Sequence, residues 1–349
     1  MLGKITFYTL SLLVLASCTT ETKKVDDQFF VKEEVDIEQD AFNQLLDSLE
    51  KDPKNIDLWI KKGNICKDEL DFACALDAGA KAFMIDSTNI PARNLYAWTL
   101  INKPNAPVSD IERAKRHFQY ILSIQPKDPE ALVNLANTFS LTGDFKTAIK
   151  YINEALKIDI NYRDGYVLKG SIYKVLGNND IALSSYQTAI QIDPNFFLGH
   201  LNTGWLLTEI GNHKLALEYY ENASRLNPES INALYGVAKS LQDLEKYDEA
   251  LVEYRKIEEL EPSFYVTYFN QGYIKHHYQN QLDSAEYFYE KVVQRNPEYI
   301  GAWYQLGEVY YQQKRYTKAA NSYAEALHID EDFEPAKQAA EKLRNIKVK

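Results

Sequence analysis

The sequence lacks the local motifs that build the common catalytic and phosphate-binding sites. The metalloprotease pattern H-E-x-x-H, the phosphate-binding glycine loop and the nucleophile pattern G-x-S-x-G are all absent. Six histidines are scattered along the chain, and only His276 and His277 are adjacent. Neighbours on a helix point about 100° apart, so this pair makes a poor joint metal site. We therefore expect no enzymatic activity, no cofactor and no metal.

Positive charge and long apolar runs are also scarce. The net charge is −11 at pH 7, with 39 Lys and Arg against 50 Asp and Glu. Binding to phosphates needs clustered basic residues, so this balance argues against nucleic acid as a partner. No run reaches the roughly 20 apolar residues that a membrane-spanning helix needs. The 45% of hydrophobic residues is nevertheless ample for a folded core.

What the chain does have is an alanine that recurs at a nearly constant interval. Seven of the eight gaps are 34 or 35 residues, and the eighth is 39. A fixed period of this size is typical of stacked-repeat proteins, whose usual product is an extended binding surface. The series is Ala41, Ala75, Ala114, Ala148, Ala182, Ala216, Ala250, Ala285 and Ala319.

The period resolves into a template when the recurring alanine is numbered position 20. Position 8 is always Gly or Ala, position 27 is usually Ala, position 32 is often Pro, and aromatic residues recur at positions 11, 17 and 24. Small residues let two antiparallel helices approach closely, and the proline ends the second helix. Gly143, Gly177 and Gly211 are predicted to end first helices in the left-handed conformation.

This template resembles the tetratricopeptide repeat, whose pattern is W-x2-L-G-x2-Y…A-x3-F…P. The fullest match consists of Trp303, Leu306, Gly307, Tyr310, Ala319, Tyr323 and Ala326. The resemblance implies an all-α fold, an α-α superhelix over residues 36–349 with about eight helix-turn-helix repeats and capping helices at 36–53 and 335–346. The repeats are predicted at 56–89, 90–128, 129–162, 163–196, 197–230, 231–264, 265–299 and 300–333.

Three repeats depart locally from the template: the first, the second and the seventh, which has one extra residue near Gln279–Gln281. Five extra residues separate the helices of the second repeat, where Ser109 and Glu112 are predicted to form a capping box. Gly79 stands where the first repeat should have an aromatic residue. For Cys66 and Cys74 we favour two small core residues, with a disulfide in an oxidising compartment as the alternative.

The N-terminus indicates export. Residues 5–16 are an apolar run too short to span a bilayer, but suited to the core of a secretory signal. Residues 15–18 (LASC) resemble a bacterial lipobox, which implies a signal peptide at 1–17 and lipid attachment at Cys18. Residues 18–35 would then comprise the lipidated cysteine and a flexible tether. The alternative is an ordinary cleaved signal with a chance cysteine.

The resemblance also implies which side chains line a concave groove. In the family these lie at positions 2, 5, 6, 9, 12 and 13 of the first helices. Aromatic rings and amides at these positions suit peptide binding, whereas a lysine-and-asparagine carboxylate clamp is not supported, because position 5 holds Val133, Val167 and Leu201. The candidates are Asn134, Asn137, Asn202, Trp205, Tyr235, Lys239, Phe269, Asn270, Tyr273, His276, Tyr304, Glu308 and Tyr311.

We therefore expect a non-enzymatic scaffold or adaptor, anchored by lipid in the bacterial cell envelope, that holds a protein or an extended peptide. Thr19 follows the cysteine in place of the aspartate that retains some lipoproteins in the inner membrane, which favours the outer membrane. The alternative is a binder of carbohydrate or peptidoglycan, because exposed rings also stack on sugars. An enzyme with an unrecognised site is a third possibility.

Overall fold

The computed structural model describes residues 40–69 and 71–345, and every regular element in these two ranges is a helix. The predicted all-α fold is therefore confirmed. The predicted signal peptide, Cys18 and the tether lie outside the described residues. By its internal contacts the chain divides into two units, Met1–Gly199 and His200–Lys349.

The first unit contains an opening helix and four helix pairs, each made of a first helix followed by a second. The opening helix covers 40–51 within the predicted capping segment 36–53. The helices are α1 (40–51), α2 (Ile56–Asp68), α3 (Phe72–Ile85), α4 (Ile90–Asn102), α5 (Val108–Ile124), α6 (Pro129–Leu141), α7 (Phe145–Ile158), α8 (Arg163–Val175) and α9 (Asn179–Ile192).

The second unit contains most of α10, its second helix α11, three further helix pairs and a closing helix. First helices carry even numbers and second helices odd numbers throughout, and the closing helix is α18. The helices are α10 (Phe197–Glu209), α11 (His213–Leu226), α12 (Ile231–Asp243), α13 (Tyr247–Leu260), α14 (Tyr265–His277), α15 (Leu282–Arg295), α16 (Ile300–Gln312), α17 (Tyr316–Ile329) and α18 (Glu334–Arg344).

Local chemistry sets the turn inside each pair. The Asp144 carboxylate accepts a hydrogen bond from the Thr147 amide at 3.1 Å and so caps α7. Position 15, which directly precedes the cap residue of the second helix, has positive φ in these turns, as predicted for the glycines. Three later repeats place side-chain-bearing residues in the same conformation. The residues five before the recurring alanine are Gly143 (φ 83°), Gly177 (73°), Gly211 (79°), Glu245 (63°), Asn280 (49°) and Lys314 (61°).

The core of each pair in the second unit is built on a tyrosine at position 24, or 25 after a one-residue insertion. These rings, Tyr220, Tyr254, Tyr289 and Tyr323, are at most 3% exposed. A Cβ added to Gly307 would lie 2.4 Å from Cε1 of Tyr323, and one added to Gly272 would lie 2.8 Å from Cε1 of Tyr289. Glycine occupies position 8 in the repeats of Tyr220, Tyr289 and Tyr323 because the tyrosine ring lies over it, whereas the Tyr254 repeat has Ala238 there.

The first repeat replaces this ring with a leucine from its neighbour. A Cβ on Gly63 would lie 2.4 Å from Cδ2 of Leu95, so Leu95 of α4 covers position 8. A Cβ on Gly79 would lie 3.2 Å from the backbone of Tyr96. The missing aromatic residue at Gly79 therefore permits the close approach of α3 to α4 that brings Leu95 into place.

The favoured interpretation of the two cysteines is wrong, because Cys66 and Cys74 form a disulfide. Their Cα atoms are 5.7 Å apart, within the usual range for a bridged pair. Cys66 is buried at the end of α2, whereas Cys74 is half-buried in the first turn of α3. The bridge therefore closes the turn of the first helix pair.

The predicted capping box in the second repeat is also wrong. Helix α5 begins before Ser109, and its cap residue, Pro107, makes no side-chain hydrogen bond. An ion-pair cluster orders this end of the helix instead, because the buried Asp110 carboxylate contacts both Lys103 and Arg113. The hydrogen bond from Lys103 is the main cause that holds the pKa of Asp110 below its usual value.

Candidate partner-binding face

Successive first helices contact one another through side chains at the predicted groove positions. In the first unit, Asn134 Nδ2 donates to Asn94 Oδ1 at 3.4 Å. In the second, Asn270 Nδ2 donates to the Tyr235 hydroxyl at 3.3 Å. Both bonds join position 6 of one repeat to position 5 of the preceding one. We use the name first-helix face for the predicted groove positions 2, 5, 6, 9, 12 and 13 on α12, α14 and α16. Its predicted residues are Tyr235, Lys239, Phe269, Asn270, Tyr273, His276, Tyr304, Glu308 and Tyr311.

A row of rings follows α14 to its end. The ring centroids of Phe269 and Tyr273 are 6.5 Å apart, and those of Tyr273 and His277 are 4.3 Å apart. Tyr278, which is 50% exposed, lies 6.0 Å from Tyr273 and stacks on Tyr247 at 4.1 Å. His277, Tyr278 and Tyr247 were not among the predicted residues. A tyrosine directly after the first helix was the signal for this extension.

Two histidine–glutamine contacts join α14 to α16. The Gln312 amide donates to His276 Nε2 at 2.9 Å, and His277 Nε2 donates to Gln305 Oε1 at 3.0 Å. His276 is buried, and its pKa is below the usual value. Burial is the largest cause of this lowering, and the neighbouring His277 is the next. The imidazole is therefore neutral near pH 7 and accepts through Nε2. The sequence prediction missed both glutamines.

The charged residues of the first-helix face have partners within the fold. Lys239 forms an ion pair with Asp243, whose other carboxylate oxygen lies 3.4 Å from His213 Nδ1. Glu308 Oε1 accepts a hydrogen bond from the Tyr323 hydroxyl at 2.6 Å. This surface consequently offers rings and amides, with its carboxylates already engaged.

Tyrosine hydroxyls tie the core of a repeat to its first helix. The partner is always at position 9 or 12. The bonds run from Tyr186 to Ser171 (3.1 Å), Tyr220 to Thr208 (3.2 Å), Tyr254 to Gln242 (2.9 Å) and Tyr323 to Glu308 (2.6 Å). Tyr289 is the exception, because its buried hydroxyl has no hydrogen-bond partner among the described residues.

The candidate residues differ in accessibility. Trp205 is 40% exposed, and those that are half-buried are Asn134, Asn137, Asn202, Tyr235, Lys239, Phe269, Tyr273, Tyr304, Glu308 and Tyr311. Asn270 and His276 are buried at 8% and 4% exposure and make the intramolecular bonds described above. We therefore assign these two to support of the face. Phe269 packs against Tyr299, with ring centroids 5.1 Å apart, so its ring is shared between core and surface.

The first unit has a shallow depression of its own, at the first helix of the first repeat. Its volume is about 410 Å³. The sequence prediction named no groove residue in the first two repeats, although five of the residues that line this depression, Asp57, Ile60, Lys61, Asn64 and Asp68, occupy the groove positions of the first repeat. The lining consists of Asp57, Ile60, Lys61, Asn64, Ile65, Asp68, Asn89 and Pro91.

Within 40–69 and 71–345, no three His, Cys, Asp or Glu side chains are placed to hold a metal ion. No helix in those ranges combines the length and apolar character needed to cross a membrane.

Three family models for the tetratricopeptide repeat match four stretches of the chain. The matched residues are 129–161 and 164–196, 201–263, and 277–343, together more than half of the sequence. The chain belongs to the tetratricopeptide-repeat family. Proteins of this family act as protein-interaction scaffolds, and their fold is a non-catalytic repeat scaffold.

Two solved structures with the same fold match more than two thirds of this chain. The C-terminal part of a tetratricopeptide-repeat protein from Cytophaga hutchinsonii is 19% identical, with a TM-score of 0.59, and the match covers 70% of this chain and 98% of that one. The Cut9–Hcn1 hetero-tetramer of APC/C matches at 18% identity and a TM-score of 0.59, over 87% of this chain and 58% of that one.

A curated relative is Superkiller protein 3 of Schizosaccharomyces pombe, at 25% identity over 157 residues. The match covers 35% of this chain and 11% of that protein. The chain thus spans about a tenth of the length of the curated relative it matches. These similarities show the fold and the family. The choice of partner depends on this chain's own residues.

Proposed function

We propose that the protein is a lipid-anchored interaction scaffold of the bacterial cell envelope, which binds a protein or an extended peptide segment on the first-helix face of its second unit. The observation that carries this proposal is the set of half-buried and exposed rings on neighbouring first helices, connected by amides. Tyr273, Tyr278 and Tyr304 supply apolar area with little conformational entropy to lose, as aromatic anchors of interfaces do.

The envelope location is supported by two features. The LASC tetrapeptide ending at Cys18 resembles a bacterial lipobox, which implies lipidation of this cysteine, and multiple acyl chains anchor a protein stably. The Cys66–Cys74 disulfide suits an oxidising compartment, where such bonds persist.

The face is tested by replacing two of its accessible rings together with Trp205, which lies on the preceding first helix, α10. The variant Trp205→Ala, Tyr273→Ala, Tyr304→Ala should lose partner proteins in pull-downs from detergent-solubilised membranes, while its helical circular-dichroism signal is retained. Unchanged partner recovery would mean that binding occurs elsewhere. The matched control is Tyr287→Ala, which removes a 51% exposed ring from α15, a second helix.

The anchor is tested separately. Cys18→Ala should move the protein from the membrane fraction to the soluble fraction, because no acyl chain can then be attached. Persistent membrane attachment of this variant would contradict the lipid anchor without touching the binding face.

Binding of carbohydrate or peptidoglycan remains the second candidate, favoured by the same exposed rings. Retention of the protein on isolated peptidoglycan, lost in the triple alanine variant and without recovered protein partners, would replace the scaffold by this alternative.

A further inference from the structure

We propose that the segment bound on the first-helix face is uncharged, extended and rich in proline. This inference rests on the proposed function and names the chemistry of the partner. It follows from the charge, the hydrogen-bond donors and the rings that α12, α14 and α16 present.

The face carries few charges where a partner would contact it. At the groove positions of these three helices the residues with formal charge are Lys239, Asp243 and Glu308. Lys239 and Asp243 form an ion pair, and Glu308, the one remaining formal charge at these positions, accepts a hydrogen bond from the Tyr323 hydroxyl. Since a charge on the partner would lose its hydration against groups that already have partners within the fold, highly charged segments are disfavoured here.

The face includes hydrogen-bond donors that have no partner among the described residues. The hydroxyls of Tyr273 and Tyr304 make no hydrogen bond within the described part of the chain. Gln305 accepts from His277 through Oε1, which leaves its amide N–H groups to donate. A proline-rich segment in the polyproline II conformation presents backbone carbonyls and few N–H groups, so it supplies the acceptors that these donors require.

The rings supply the matching apolar surface. Tyr273 has His277 and Tyr278 at centroid distances of 4.3 and 6.0 Å, and Tyr278 stacks on Tyr247 at 4.1 Å. A cluster of partly exposed tyrosines is the kind of surface on which proline-rich segments dock, because their pyrrolidine rings pack on aromatic faces and their backbone is already ordered. The low charge, the available hydrogen-bond donors and the rings of the first-helix face thus all favour one class of bound segment.

The test uses the full mature chain in detergent and a fluorescently labelled proline peptide of about ten residues, acetylated and amidated so that it carries no terminal charge. Fluorescence anisotropy should show binding at least about tenfold tighter than for a Gly/Ser peptide of the same length. The affinity should change less than about twofold between roughly 50 and 500 mM salt, since no ion pair is formed. Tyr273→Ala should weaken binding about tenfold or more, whereas Tyr287→Ala should leave it unchanged.

Three results would overturn the inference. They are equal affinity for the two peptides, a strong loss of affinity with salt, and equal effects of Tyr273→Ala and Tyr287→Ala. If the proline peptide fails while the wild-type protein still recovers a partner that the triple alanine variant loses, the proposed function stands and only the proline-rich chemistry is wrong. If partner recovery is also unaffected by the triple variant, the binding face itself is refuted.

Discussion

The hydroxyls of Tyr323 and Tyr289 provide a sharp test of how the repeats are held together. Both rings are buried against a glycine at position 8 in the second unit, at 1% and 0% exposure. Tyr323 donates to the Glu308 carboxylate at 2.6 Å, whereas the Tyr289 hydroxyl is buried without a partner among the described residues. Replacement by phenylalanine removes the same oxygen from both and leaves the packing of the ring in place.

The two substitutions should act with opposite sign. A hydrogen bond to a charged group contributes about 1.5–3 kcal/mol, and Glu308 is half-buried, so Tyr323→Phe should destabilise by about 1–2 kcal/mol. An unsatisfied buried hydroxyl carries a desolvation penalty of about 1–3 kcal/mol, so Tyr289→Phe should be neutral or stabilising by about 1 kcal/mol. Tyr254→Phe, which breaks a 2.9 Å bond to neutral Gln242, should fall between them.

Urea unfolding followed by far-ultraviolet circular dichroism measures the difference. The midpoints should rank Tyr289→Phe highest and Tyr323→Phe lowest, with an unchanged dependence of the unfolding free energy on urea. Equal loss of stability in both variants would refute the reasoning, since it would mean that the Tyr289 hydroxyl is satisfied as well as that of Tyr323.

Three further predictions use the same measurement. Gly307→Ala should destabilise by about 1 kcal/mol, because the added Cβ would lie 2.4 Å from a buried ring, whereas Gly301→Ala on the same helix meets nothing closer than 3.6 Å and should stabilise by about 0.5 kcal/mol. Lys314→Gly should stabilise by up to about 1 kcal/mol, because φ is 61° there; no gain would contradict the strain. Burial, then the charge of Arg93, lowers the pKa of His117 to about 4. The folded state therefore disfavours protonation, and stability present above pH 6.5 should fall by about 1–3 kcal/mol as pH drops towards 4. His117→Gln should show a correspondingly smaller fall.

The periodic features of the sequence were enough to predict the helix pairs and the glycine turns, because each depends on residues a few positions apart. Gly143 and Gly177 are left-handed since a first helix ends there, whatever the neighbouring repeat contains. The groove positions on first helices came from the family resemblance and not from the periodicity, and the Asn270–Tyr235 bond joins two of these positions in adjacent repeats.

The features that were missed depend on distances between helices. Leu95 covers Gly63 only because α4 approaches α3 at Gly79, which a single-repeat template does not contain. The buried state of His276 likewise follows from α16, which supplies Gln312. The tyrosine bonds could have been found from polar residues at positions 9 and 12, such as Thr208 and Gln242, in repeats with tyrosine at position 24.

Site-specific photo-crosslinking in cells tests the central claim most directly. A benzophenone amino acid placed at Tyr273 should capture a partner protein on irradiation, because this ring lies on the first-helix face. The same amino acid at Tyr287, on the second helix α15, should capture none. Capture at Tyr287 and not at Tyr273 would contradict the assignment of the binding face.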